Sequence, residues 1–403
     1  MLRYLFFLTV WACMDAQTAG WRQQADDLKA KGDAAGALAV IEAAAEADPA
    51  SAALQDEAGF LLAVLKRPAE AKARFEKAVA LEPGYALAHY HLGVIYWLEK
   101  DPTRAIPQLQ DAAALAPKVF DYRLKLGVSL YEVSHYPESI AELKAAVELN
   151  PSSAAAWSSL GASLQQTRER AGARDAFAHA LELNPNDLAV RNSYGFMLAG
   201  LREPEKALEQ FHKVLETDPQ NSDAMVNIGF TYLQTGEYAK AEEQFRAALK
   251  IKPESAVARY NLGLTLKQQD NLEDAKKELR EAIRLDPALP EAHYTLGMTL
   301  WQLGDFEGTL TETRAAIAGN PLYGQAHYLL GTVLKQTGKL DEALKELRES
   351  ARLIPEDPGP YNMIGQILRI QGDPARSRQA FDEAARIKQA KEAEQAETLR
   401  KKK

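Results

Sequence analysis

Cysteine is nearly absent from this chain of 403 residues, which contains only Cys13. A single cysteine cannot form a disulfide within the chain or a cysteine-based zinc site. An excess of positive charge is missing as well, since 48 Lys and Arg stand against 56 Asp and Glu, giving a formal net charge of −8. Nucleic-acid binders need a basic stripe that meets the phosphates. The composition therefore predicts no nucleic-acid partner.

The N-terminus has the layout of an export signal. Arg3 gives a short positive start, and residues 4–12 form an almost wholly apolar run. This run is about half of the roughly 20 residues that a membrane-spanning helix needs. We therefore predict a signal peptide over residues 1–16, cleaved after Ala16, and a periplasmic or extracellular protein.

Two other interpretations of this segment stay open. Cleavage before Cys13 resembles the processing of a bacterial lipobox, which would make Cys13 a lipidation site and the protein a membrane-anchored lipoprotein. The segment is otherwise a short start with a chance apolar patch. Membrane contact is predicted only through a lipidated Cys13 or an uncleaved signal.

A period of 34 residues runs through the rest of the chain. Ten prolines follow one another at this spacing without insertion or deletion, namely Pro49, Pro83, Pro117, Pro151, Pro185, Pro219, Pro253, Pro287, Pro321 and Pro355. A small residue precedes each of them by 24 positions: Ala25, Gly59, Gly93, Gly127, Gly161, Gly195, Gly229, Gly263, Gly297 and Gly331. Gly365 extends the second series into an eleventh unit. Two series in phase predict a tandem array of one supersecondary unit.

Each unit predicts two antiparallel helices, which we call helix A and helix B. Apolar residues recur three and four apart, as in Leu262 and Leu266, which is typical of a helix with one packed face. The glycine of helix A and an alanine of helix B, such as Ala241, let the two helices approach closely. The closing proline cannot continue a helix interior and so ends the unit.

These residues and their spacing resemble the tetratricopeptide repeat. Residues 222–255 carry its pattern as Ile228, Gly229, Tyr232, Ala241, Phe245, Ala248 and Pro253. The resemblance implies an all-α fold, a right-handed α-solenoid (superhelix) of about eleven repeats over residues 17–391. A C-terminal capping helix or tail is predicted over residues 392–403. The repeats, one to eleven, are 18–51, 52–85, 86–119, 120–153, 154–187, 188–221, 222–255, 256–289, 290–323, 324–357 and 358–391.

Two kinds of substitution depart from the family pattern. Repeat nine has Thr309 and Thr313 where the family has an alanine and a large apolar residue. Ser139 and Ser377 replace the alanine of helix B in two other repeats.

The family's A helices line a concave groove, and the resemblance implies which sites of each repeat face it. In repeats six to ten these sites carry Phe196, Asn227, Phe230, Gln234, Tyr260, Asn261, Leu264, Gln268, Tyr294, Met298, Gln302, Tyr328 and Gln336. Tyrosine combines a large ring with a polar tip, and amides can pair with the backbone of an extended peptide. We predict a partner-binding groove from these residues. The alternative is that the rings pack between A helices and the glutamines face solvent.

No catalytic or metal-binding constellation stands out. His293 and His327 occupy the same site in consecutive repeats, but a large ring is common at that site, so we predict a packing role and no metal. The glycines recur singly and never form a phosphate-binding cluster. We predict a protein that is not an enzyme and needs no cofactor.

The predicted function is a non-catalytic scaffold that binds a protein or peptide segment in its groove. An accessory, substrate-binding subunit of a cell-envelope glycan or glycosyl-processing system is the alternative.

Overall fold

The computed structural model describes residues 20–401, with the side chains of residues 397–399 and 401 left aside. The predicted signal peptide and Cys13 lie outside these residues. Across the described residues the chain forms helices α1 to α22 and no strand. The predicted all-α fold is confirmed.

The chain divides into two compact units, the first ending at Arg202 and the second beginning at Glu203. In the first unit the helices are α1 (20–30), α2 (Ala34–Ala47), α3 (Ala52–Val64), α4 (Pro68–Leu81), α5 (Ala86–Leu98), α6 (Pro102–Leu115), α7 (Phe120–Glu132), α8 (Tyr136–Leu149), α9 (Ala154–Gln166), α10 (Arg170–Leu183) and α11 (Leu188–Gly200). Those of the second unit are α12 (Pro204–Thr217), α13 (Ser222–Thr235), α14 (Tyr238–Ile251), α15 (Ala256–Gln268), α16 (Leu272–Leu285), α17 (Pro290–Gln302), α18 (Phe306–Gly319), α19 (Gly324–Gln336), α20 (Leu340–Leu353), α21 (Pro358–Ile370) and α22 (Pro374–Lys401).

Odd-numbered helices are the A helices and even-numbered helices are the B helices. Consecutive helices pack against each other from α3 to α11 in the first unit and from α12 to α22 in the second. Neighbouring A helices also touch within a unit, as α15 touches α17 and α17 touches α19. Side chains on successive A helices of one unit therefore form a continuous surface.

The repeated glycine of helix A leaves room for a large side chain of helix B. A Cβ built on Gly229 would lie 2.8 Å from Cε1 of Phe245, and one on Gly263 would lie 2.7 Å from Cγ of Leu279. Phe245 and Leu279 are fully buried. The close approach predicted from the sequence is therefore filled by the side chain that follows the helix-B alanine by four residues.

The departures from the family pattern are accommodated by hydrogen bonds inside the core. Thr309 and Thr313 are fully buried, and their hydroxyls donate to the carbonyls of Asp305 and Thr309, each at 2.7 Å. Ser139 is also buried and donates to the carbonyl of Gly127 at 2.7 Å. A hydroxyl in the core costs little once it has such a partner.

Each turn from helix A to helix B contains one residue with left-handed backbone. Five of these residues are glycines, Gly32, Gly236, Gly304, Gly338 and Gly372, with φ between 77° and 81°. The other six are Lys66, Lys100, Ser134, Arg168, Arg202 and Asp270, with φ between 59° and 63°. The left-handed residue ends helix A and lets the chain reverse.

The last helix continues beyond the final predicted repeat. Helix α22 runs from Pro374 to Lys401 without a break at residue 391. The proline that closes the other repeats is absent here, and Gln389 stands in its place. The described part of the predicted C-terminal segment is thus an extension of a B helix.

Candidate partner-binding face

Three tyrosines of the predicted groove lie on successive A helices of the second unit. Tyr260, Tyr294 and Tyr328 stand on α15, α17 and α19, and each is half-buried. Tyr260 packs against the apolar cluster of Leu279, Leu296 and Leu300. Burial raises its pKa, and the Thr295 hydroxyl opposes that rise. Part of each ring therefore serves the packing between A helices, as the alternative interpretation expected, and part reaches the surface.

A fourth tyrosine, Tyr323, joins this group. Its ring centroid lies 4.8 Å from that of Tyr294, with the two rings at 46°. Burial and then the phenols of Tyr294 and Tyr260 raise the pKa of Tyr323. We call Tyr260, Tyr294, Tyr323 and Tyr328 the tyrosine face.

Tyr323 was missed in the sequence although a signal was present. It is the last residue of repeat nine, where repeats four to seven carry a helix-capping residue. At that position Ser153, Asp187, Asn221 and Ser255 each accept a hydrogen bond from a backbone N–H of the next helix. The Tyr323 side chain makes no such bond to α19. The signal in the sequence was a large ring at a position where a short polar helix-capping residue is preferred.

Most of the apolar residues of the predicted groove pack partly against the hydrophobic core. Met298 is half-buried against the cluster around Leu329 and Leu330. Phe230 is half-buried against the cluster that contains Leu262 and Leu266, and Leu264 is also half-buried. Phe196 belongs to α11 of the first unit, where it is 37% exposed.

The predicted glutamine ladder lies at the surface. Gln234, Gln268, Gln302 and Gln336 are all exposed. The side-chain carbonyl of Gln336 accepts a hydrogen bond of 2.9 Å from Nε1 of Trp301. An exposed amide can donate and accept at the same time, which suits the peptide groups of an extended chain.

The two predicted asparagines are placed differently. Asn227 is half-buried on α13. Asn261 is only 6% exposed, and its Nδ2 donates to the carbonyl of Val257 at 3.0 Å. Asn261 therefore contributes to helix packing and presents little surface to a partner, contrary to its predicted place in the groove.

Lysines stand on the same A helices as the tyrosines, Lys267 seven residues after Tyr260 and Lys335 seven residues after Tyr328. Burial lowers the pKa of Lys267, on α15. A partly desolvated ammonium of this kind interacts more strongly with an opposite charge than an exposed one does.

The two histidines of repeats nine and ten make hydrogen bonds that the sequence did not predict. His293 places Nδ1 at 2.7 Å from a carboxylate oxygen of Glu312 and Nε2 at 3.2 Å from the carbonyl of Pro287. The same pair of contacts, with an acid 19 residues onward and a proline carbonyl six residues back, recurs at Arg123, Arg259 and His327. We call this contact set the interhelix clamp, since it joins helix A, helix B and the preceding turn.

Within residues 20–401, no group of three or more His, Cys, Asp or Glu side chains is arranged to hold a metal ion. None of the helices described there is long and apolar enough to cross a membrane.

The described part of the chain is thus an α-solenoid built from helical hairpins of one 34-residue period. Profiles of tetratricopeptide families match residues 61–119 and 294–358, residues 265–304 and residues 359–391. Residues 139–259 match the profile described as the cytochrome c-type biogenesis protein H TPR domain. The chain is a tetratricopeptide repeat protein, and its architecture is that of a protein-interaction scaffold.

Solved structures with TM-scores of 0.50 or more are similar in fold at low sequence identity. Cut9 of the APC/C hetero-tetramer Cut9–Hcn1 is similar with a TM-score of 0.52 and 13% identity, over 91% of this chain and 93% of that one. The human IFIT1 dimer with m7Gppp-AAAA gives a TM-score of 0.50 and 14% identity, over 84% and 90%. MamA is 25% identical over 41% of this chain and 97% of its own, with a TM-score of 0.39. A search of curated proteins returned no match.

Proposed function

We propose that the tyrosine face binds an extended segment of a partner protein. The observation that carries this proposal is the placement of half-buried tyrosines on three consecutive A helices, α15, α17 and α19. The exposed amides of Gln268 and Gln302 lie at the ends of two of these helices. Rings give contact area, and amides supply hydrogen bonds to a peptide backbone.

The tyrosine face is suited to binding because its rings are already held in place. Tyr294 is fixed against Tyr323, and Tyr260 is fixed against the Leu279 cluster. Side chains that are ordered before binding lose little conformational entropy when a partner arrives. A half-buried ring therefore contributes more affinity than a freely rotating one of equal area.

Photo-crosslinking tests the proposal without disturbing the packing. A photoreactive phenylalanine is placed at the exposed position 268 or 302 and, as a matched control, at the exposed helix-B position 280. In the native cell we expect crosslinks from 268 and 302 to the same segment of one protein, and none to that segment from 280. Equal capture from all three positions would show that the A-helix surface is not the binding site.

A second variant set asks whether the tyrosines themselves bind. Tyr260, Tyr294 and Tyr328 are replaced by alanine together, with circular dichroism as the check on folding. We expect the crosslink from position 268 to disappear in this variant. Persistence of the crosslink in the folded variant would exclude the tyrosines from the site, and a carbohydrate as the captured molecule would favour the glycan-processing alternative.

We propose in addition that the chain is exported, on the strength of the apolar run in residues 4–12. Mass spectrometry of the protein from its native cell decides the form of export. A new N-terminus at Gln17 supports cleavage after Ala16, and a lipid-modified Cys13 supports the lipoprotein. An intact Met1 in the cytosol would contradict both.

A further inference from the structure

The first unit carries an apolar patch on its A helices. Phe60 is 46% exposed, Val64 is 53% exposed and Leu98 is 72% exposed. Phe60 and Val64 are four residues apart on α3, so they share one side of that helix. Helix α5, which carries Leu98, packs directly against α3. A group of large apolar side chains exposed on neighbouring helices is typical of an interaction surface.

A cavity adjoins this patch. Its volume is about 380 Å³, and its lining includes Arg22, Asp56, Glu57, Phe60, Tyr85, Leu87 and His91. Phe60 belongs both to the patch and to the cavity lining, which makes the two features one continuous surface.

The cavity contains a buried carboxylate. Asp56 is only 3% exposed, and its Oδ1 lies 2.9 Å from Nδ1 of His91. The His91 ring is itself enclosed by rings, with centroids 5.1 Å from Phe75, 5.7 Å from Phe60 and 5.8 Å from Tyr90. Asp56 and His91 are therefore held in fixed positions before any partner binds.

Negative charge prevails around this cavity. Lys29 is shared between Asp26 at 2.8 Å and Glu57 at 2.6 Å, so one cation serves two acids. Lys29 lies beside the cavity, and among the lining residues Arg22, exposed on α1, carries a positive charge. Asp26, Asp56 and Glu57 thus stand against Arg22 and Lys29.

Tyr85, which lines the cavity, is affected by the same negative charge. Burial is the main cause that raises the pKa of Tyr85, and the negative charges of Asp56 and Glu82 add to it. Tyr85 occupies the last position of its repeat, as Tyr323 does, and likewise gives its helix no side-chain cap.

We propose that Phe60, Val64, Leu98 and the Asp56 cavity dock a partner segment in which a lysine or arginine stands among large apolar residues. The apolar residues of the partner cover the three exposed side chains. The aliphatic stem of the basic residue lies along Phe60 and Leu87, and its charged head reaches Asp56. This site has a different chemistry from the tyrosine face and lies in the other unit. Binding here does not depend on binding there.

Fluorescence anisotropy with three labelled peptides tests the proposal on the full chain. Each peptide has two leucines on either side of a central residue, which is lysine, norleucine or glutamate, with Gly-Ser flanks. We expect the lysine peptide to bind up to about fivefold more tightly than the norleucine peptide, the ratio that corresponds to an ion pair at the upper end of the usual range. Equal affinity for lysine and norleucine, or tighter binding of the glutamate peptide, would overturn the proposal.

Protein variants locate the effect. Asp56→Asn is expected to abolish the preference for lysine over norleucine, while Asp223→Asn, a matched change of an exposed acid on α13, leaves it intact. Leu98→Ser is expected to weaken the binding of all three peptides alike. Leu98 is 72% exposed, so we expect this variant to fold normally. A lysine preference that survives in folded Asp56→Asn would refute the role of Asp56. If Asp56→Asn does not fold, the comparison of the three peptides and the Leu98→Ser variant still test the proposed docking site.

Discussion

Replacing Gly229 with alanine probes the close contact on which each helix pair depends. A Cβ at this position would lie 2.8, 2.9 and 3.0 Å from three ring atoms of Phe245. The Phe245 ring is fully buried in the core, so it has no free space into which it can turn. The added methyl group must therefore push α13 and α14 apart or force the ring out of its rotamer.

Two opposing effects set the magnitude. Alanine is favoured over glycine in a helix interior by about 0.8–1.0 kcal/mol. Inserting a carbon into a well-packed core costs typically about 1–3 kcal/mol. We expect Gly229→Ala to destabilise the repeat by about 1 kcal/mol, because the overpacking cost exceeds the gain in helix propensity.

Gly297, at the same place in repeat nine, is the matched control. There the nearest atom to an added Cβ is Oγ1 of Thr313 at 2.9 Å, and the next lies at 3.6 Å. Rotation of Thr313 relieves that contact and gives up its hydrogen bond to Thr309, at a cost of about 1 kcal/mol. This cost offsets the propensity gain, so we expect Gly297→Ala to be close to neutral.

Hydrogen exchange measures both variants locally, since repeat arrays open in parts and not as one unit. Amides of α13 and α14 report on Gly229→Ala, and those of α17 and α18 report on Gly297→Ala. We expect faster exchange only in the first case. Equal acceleration in both variants, or slower exchange in Gly229→Ala, would refute the view that Phe245 is a rigid obstacle.

Three further changes give sharp expectations. The Thr103 hydroxyl and the Arg104 side chain lower the pKa of Asp101 from 3.8 to about 2. The charged Asp101 carboxylate therefore stabilises the fold above its ordinary pKa, and this stabilisation is lost as the pH falls toward 2. The difference in Tm between the parent chain and Asp101→Asn should therefore shrink over that pH range, and a constant difference would contradict the assignment. Glu278→Gln removes the charge that faces Arg259 at 2.7 Å. We expect the free energy of unfolding in urea to fall by about 0.5–1 kcal/mol, and this loss to decline with added salt. A salt-independent loss would count against an ion pair. Lys66→Gly relieves a left-handed lysine and should stabilise its turn by about 1 kcal/mol, seen as slower exchange around it; unchanged or faster exchange would argue against strain there.

The helix pairs could be predicted because their determinants are local and strictly periodic. The glycine and proline series mark both helices of repeats two to ten, and the close approach of helix A to helix B was predicted from them. That the Phe245 side chain fills the space at Gly229 is a finding of the structure. The threonines of repeat nine were visible as departures, but the sequence did not show that their hydroxyls bond to the preceding turn of the same helix.

The candidate sites could be predicted only in part, because they depend on how helices are rotated against each other. Asn261 directly follows Tyr260 on α15, yet its side chain is buried in the packing while the Tyr260 ring reaches the surface. The interhelix clamp and the Asp56–His91 pair join residues from different helices. Neither contact follows from a pattern that treats each site of the repeat separately.

The turns between helices A and B differ in backbone cost along the array. A left-handed backbone costs a residue other than glycine roughly 1–2 kcal/mol, and somewhat less for aspartate. Repeats two to six all carry such a residue, whereas four of the last five repeats carry glycine. The turns of repeats two to six therefore carry a backbone cost that the glycine turns of repeats seven, nine, ten and eleven do not carry.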